Sequence, residues 1–124
     1  MSFDLSFWRY EGATDRDHVA VAAGLMAGED VPGVGEIDAP AMIERLGEVL
    51  KGWRRDGTHF EAPTKAGGYL TCIPGPRILV LHMSHNVARA VMLKISTPMR
   101  RFGCGLWNPQ TSQRIAGYEE GEAP

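Results

Sequence analysis

Only two cysteines, Cys72 and Cys104, occur in the 124 residues. That is too few for a disulfide framework, and the expectation is two unpaired thiols in a reducing compartment. Long apolar runs are also missing. None approaches the roughly 20 residues needed to span a bilayer, and the opening Met-Ser-Phe-Asp-Leu-Ser has neither the basic region nor the apolar core of a signal peptide. The expected location is cytoplasmic, with no membrane partner. Charge of one sign is lacking too: 13 Lys and Arg stand against 15 Asp and Glu, a net charge of -2. Nothing therefore attracts nucleic acid globally, and a neutral or basic partner is weakly favoured. No internal repeat or linker divides the chain. Residues 1–116 read as a single domain and residues 117–124 as an acidic, solvated tail.

What is present is ordinary globular composition, 44% hydrophobic and 23% charged, which sets the chain apart from disordered sequences. Phe3, Leu5 and Phe7 alternate with Asp4, Ser6 and Trp8, so residues 2–10 read as a central strand with the phenylalanine face inward. Trp8 then lies on the opposite face, covered by another element or exposed as a contact residue. Thr14 or Asp15 can cap a helix running to about Ala27, with Asp15 and Asp17 in its first turn and an apolar stripe of Val19, Ala22, Ala23 and Met26. Gly24 weakens that helix by roughly 1 kcal/mol relative to alanine. Asp38, with Pro40 in the first turn, opens a second helix whose apolar stripe is Met42, Ile43, Leu46, Val49, Leu50 and Trp53.

Arg54 to Gly57 reads as a charged turn and Thr58 to Thr64 as a short strand closed by Pro63. The runs 68–73 and 77–83, joined by Pro74-Gly75-Pro76, make a hairpin. The second run is apolar on both faces, which calls for cover on both: helices on one, and on the other a dimer partner, another protein or the remaining helix. Ser84 can cap a long helix with Val87, Val91, Ile95, Met99 and Phe102 on one face, ended by Gly103. Thr97-Pro98 predicts a kink or a fresh turn within it. Residues 104–115 return as a strand or hairpin bending at Asn108-Pro109-Gln110-Thr111. The fold class is α+β in the order βααβββαβ, a mostly antiparallel sheet with its helices on one face.

Chemistry is hard to find. The loop Val31-Pro32-Gly33-Val34-Gly35 follows no predicted strand and precedes no Gly-Lys-Ser/Thr, so it is not a phosphate loop. Trp53-Arg54-Arg55 is better read as a solvated helix end than as a nucleic-acid contact. His82 and His85 have His-x-x-His spacing, but they straddle a strand-to-helix junction and no third metal ligand is identifiable. Nothing local activates Cys72 or Cys104 as a nucleophile, and no carboxylates are paired for acid–base work. No cofactor, no metal and no enzymatic activity are expected.

The opening Ser2-Phe3-Asp4-Leu5-Ser6-Phe7-Trp8 and the closing Phe102-Gly103-Cys104-Gly105-Leu106-Trp107-Asn108-Pro109-Gln110-Thr111 resemble a group of small bacterial proteins. Those proteins begin Met-Ser-Tyr-Asp-Leu-x-Phe-Trp and end, after a helix, with Phe-Gly-Cys-Pro-Leu-Tyr-Asp-Pro-Gln. Gly105 and Asn108 depart from that pattern, which has proline and aspartate there. The group is associated with immunity proteins of bacterial toxin systems. The resemblance implies a stoichiometric inhibitor that binds a cognate toxin and occludes its active site. Acidic places that could meet a basic toxin are Asp15, Asp17, Glu29, Asp30, Glu36, Glu119 and Glu120, and Trp8 and Trp107 are the candidate aromatic anchors. The alternative is a self-associating structural or adaptor protein, a homodimer pairing through an exposed sheet face.

Overall fold

A computed structural model describes residues 2–63, 65 and 67–118. Nine residues of alternating pattern form β1 (Ser2–Tyr10), which is followed by α1 (His18–Met26), β2 (Val34–Gly35) and α2 (Ala39–Val49). The strands β3 (Arg54–Asp56), β4 (His59–Glu61), β5 (Tyr69–Pro74) and β6 (Leu79–Ser84) come next, then α3 (His85–Arg100), β7 (Gly105–Asn108) and β8 (Gln113–Ile115). The fold is α+β, and its sheet is antiparallel throughout in the order β3-β4-β5-β6-β1-β7-β8, with β2 pairing onto the end of β1. β1 is central, as its pattern predicts. No helix among the described residues is long and apolar enough to cross a membrane.

The helices do not share one face, contrary to the sequence reading. Leu5 and Phe7 of β1 and Leu79, Leu81 and Met83 of β6 pack under α2 and α3 in the larger core. Trp8 and Tyr10 point the other way, where they meet Val21, Ala22 and Leu25 of α1, together with Val80 and Trp107. β6 is therefore covered on both sides by helices of its own chain at its Val80 end, whereas its His82 end has helices on the core side alone. The correction follows from α1 itself. Its run of small apolar residues is apolar nearly all round, so spacing alone could not fix which side is buried. The buried residues are Val21, Ala22, Gly24 and Leu25, whereas Val19 and Met26 of the expected stripe are exposed. Gly24 has a packing role: a Cβ there would stand 2.9 Å from Cγ2 of Val31.

Caps set the helix boundaries. Asp17, not Thr14 or Asp15, caps α1 by accepting the Ala20 N–H at 3.2 Å. Asp38 caps α2 by accepting the Ala41 N–H at 3.1 Å, as expected. Ser84 stands at the N-cap of α3, but its hydroxyl accepts the Tyr69 N–H at 3.1 Å instead of an N–H of the helix. α3 runs through Pro98 as one helix, because only three residues follow Thr97 and the lost bond lies in the last turn. Gly103 takes φ 80° just beyond it. Past β8, Tyr118 returns its N–H to the Arg100 carbonyl at 3.2 Å and lays its ring under Arg100 and Arg101.

Candidate protein-binding surface

The β1 face that carries Trp8 is only half covered. α1 has nine residues, so it is about 13 Å long, and it spans the Trp8, Tyr10 and Trp107 end. The rest of that face, on β4, β5 and β6, has no helix over it. Between the end of α1 and the β5–β6 hairpin lies a groove of about 330 Å³ lined by Leu25, Met26, Ile73, Pro74, Ile78 and Val80. Met26 is 62% exposed and Ile73 53% exposed, so two large apolar side chains stand at its mouth. Exposed apolar groups that line a concavity are the informative kind, since scattered ones need no explanation.

Glu29 and Asp30 form the rim of this groove. Asp30 accepts from Arg77 at 2.6 Å across the opening, with the Asp30 side chain mostly in solvent. The Arg77 Nε is buried without a hydrogen-bond partner among the described residues. Glu29 and Asp30 also edge a shallower hollow of about 220 Å³ beside Arg16 and Pro32. Two acidic residues from the sequence reading are thus brought to one apolar opening.

The other candidates lie elsewhere. Asp15 and Asp17 are exposed at the far end of α1, and Asp17 is committed to its cap. Glu36 is exposed on the segment joining β2 to α2 and does not line the groove. Glu119 and Glu120 lie outside the described residues. Trp8 and Trp107 are not surface anchors. They are 0% and 4% exposed, their ring centroids are 6.0 Å apart, and α1 closes over them. The Arg114 guanidinium finishes that cover, lying 5.2 Å from the Trp8 ring and 4.4 Å from the Tyr10 ring while it donates to the Trp8 carbonyl at 2.9 Å.

Two residues further along β5 and β6, the same face turns polar. Asp4, His82, Thr71 and His59 stand opposite one another across β1, β6, β5 and β4. His82 Nδ1 is 2.6 Å from Asp4 Oδ1, and the Tyr69 hydroxyl is 3.3 Å from His82 Nε2. On the other side of Tyr69, His59 stacks on its ring at 6.1 Å and is bonded to the Thr71 hydroxyl at 2.8 Å. Asp4 and His82 are 78 positions apart, so only the strand register unites them. His82 and His85 face opposite sides of the sheet, since His85 meets Phe3 on the core side. Among the described residues no three His, Cys, Asp or Glu side chains are grouped to hold a metal. Both cysteines are buried and unbridged, and burial pushes the Cys72 thiol up to about 12. The groove itself was invisible in the sequence, because Met26 read there as part of a helix's apolar stripe and Ile73 as the end of a hairpin strand.

No family model matches the chain, and no curated protein matches it significantly.

Proposed function

We propose that the chain is an immunity-type protein that binds a bacterial toxin stoichiometrically and neutralises it, without catalysis and without a cofactor. The observation that carries this reading is the groove beside α1. Its floor is apolar, Met26 and Ile73 stand exposed at its mouth, and Glu29 stands on its rim beside the Asp30–Arg77 ion pair. That combination suits an apolar side chain flanked by lysine or arginine on a partner's surface, as a basic toxin would offer. The antiparallel sheet beneath supplies a rigid support, so little ordering cost accompanies binding. Acidic residues away from the groove steer approach rather than fix the complex.

The test uses the reading frame next to this one. Its product is expressed in a test bacterium with and without this chain, and survivors are counted. Relief of killing together with a one-to-one complex is the expected result. Ile73→Glu should lose protection and weaken the complex by about 2 kcal/mol or more, with its thermal midpoint nearly unchanged because Ile73 is exposed. Absence of toxicity, or toxicity that this chain leaves unchanged, sinks the reading. Protection that survives Ile73→Glu and Glu29→Lys together moves the binding site off the groove.

A further inference from the structure

We propose that Tyr69 is a nucleophile activated through His82 and Asp4, forming a covalent modification site for tetrahedral phosphorus or sulfur electrophiles that carry a good leaving group. The inference stands apart from toxin binding. Its ground is the order of the three groups: Asp4 Oδ1 to His82 Nδ1 at 2.6 Å, then His82 Nε2 to the Tyr69 hydroxyl at 3.3 Å. A carboxylate at Nδ1 holds the ring proton there, so Nε2 presents its lone pair to the phenol. This is the connectivity of a nucleophile, its base and the group that orients the base.

Every neighbour restrains this geometry. Asp4 is fixed through its backbone, since its N–H donates to Gln110 Oε1 at 3.1 Å and its carbonyl accepts from Gln110 Nε2 at 2.9 Å. The Tyr69 ring stands between two imidazoles, 5.7 Å from His82 and 6.1 Å from His59. His59 is itself occupied by the Thr71 hydroxyl and, at 3.6 Å, by Glu61. Tyr69, His82 and Asp4 are all partly exposed on the uncovered face, so an electrophile has access. In the step, the Tyr69 Oη–P or Oη–S bond forms and the bond to the leaving group breaks. The leaving group departs with the electron pair, and the phenol proton passes to His82 Nε2. Asp4, a positioning residue, stabilises the resulting imidazolium.

The test treats the full chain with an aryl sulfonyl fluoride and, separately, a fluorophosphonate, and maps adducts by peptide mass spectrometry. The chain has three tyrosines. Tyr10 is buried and Tyr118 is exposed, so Tyr118 serves as the internal standard. General-base assistance gives about 10²–10⁴-fold in enclosed sites. On this open face we expect Tyr69 to react about tenfold faster than Tyr118, an order of magnitude below that range. His82→Gln and Asp4→Asn should bring it to the rate of Tyr118, with circular dichroism unchanged. Equal rates for Tyr69 and Tyr118 in the wild type, a Tyr69 rate indifferent to His82→Gln, or adducts on His82 in place of Tyr69 would each overturn the assignment.

Discussion

Cys72 sits on the inward face of β5, in the core beneath α2 and α3, where a thiolate would have neither water nor a partner. Burial raises its ionisation from an ordinary 9.0 to about 12, a shift that the nearby positive Arg55 only partly opposes. In the unfolded chain the same thiol ionises near its ordinary value. Between about pH 9 and pH 12 the unfolded state therefore binds fewer protons than the folded one, and stability falls as pH rises through that window. The slope owed to this one group is at most about 1.4 kcal/mol per pH unit. Lysines and tyrosines titrate nearby, so the difference matters: urea unfolding of the wild type and of Cys72→Ala, followed from pH 8 to pH 11, should show the steeper decline in the wild type. Below pH 9 the contribution is constant, and both cysteines should resist thiol reagents until the protein unfolds.

At the scale of elements, a side chain of β8 adds to the backbone pairing of β7 with β1 in holding the β7–β8 hairpin. Arg114 crosses β7 to reach the Trp8 carbonyl and the Trp8 and Tyr10 rings, and it passes over Gly105. A Cβ at Gly105 would occupy the space of the guanidinium. The proline that the resembled pattern has at this position would meet the same group. Gly105→Ala should displace Arg114 and cost about 1–2 kcal/mol, the scale of one charge-assisted hydrogen bond and its ring contacts. In Arg114→Ala the same glycine substitution should cost much less, so a thermal-unfolding double-mutant cycle should show clear coupling.

Elements with a strong period were legible in the sequence. β1 was legible because Phe3, Leu5 and Phe7 alternate with polar or outward residues. α2 was legible because Asp38 precedes a clean helical stripe, and the β5–β6 hairpin because Pro74-Gly75-Pro76 punctuates two apolar runs. α1 was legible as a helix but not in its phase, since Ala20, Ala22 and Ala23 give no side a preference. β3 was hidden: Arg54-Arg55-Asp56 has no apolar alternation, and its strand character comes from pairing with β4. β2 is two residues long and exists only through its pairing with Arg9 and Tyr10. The rim acids Glu29 and Asp30 were in view, but the apolar opening they flank requires the tertiary approach of α1 to β5–β6. The Asp4–His82 pair needs the register of two distant strands, which no local signal supplies.

Across the whole molecule, one strand serves two cores. Leu5 and Phe7 belong to the packing under α2 and α3, and Trp8 and Tyr10 to the packing under α1. Loss of β1 removes side chains from both cores at once, so unfolding should be a single transition. The tryptophans report on the two sides separately, since Trp53 packs on the larger core while Trp8 and Trp107 lie in the smaller. Fluorescence of a Trp53→Phe variant and far-ultraviolet circular dichroism of the same sample should give one midpoint in urea. Two midpoints would mean that α1 and its aromatic cluster melt independently.

The sheet ends at β3 on one side and β8 on the other, each three residues long. The outermost strand β3 is Arg54-Arg55-Asp56, exposed throughout. An incoming strand would find few free backbone groups there and a row of charges to desolvate. The β3 edge is therefore a poor template for a second copy of the chain. The chain's association is left to the faces of the sheet, where side chains rather than backbone choose the partner.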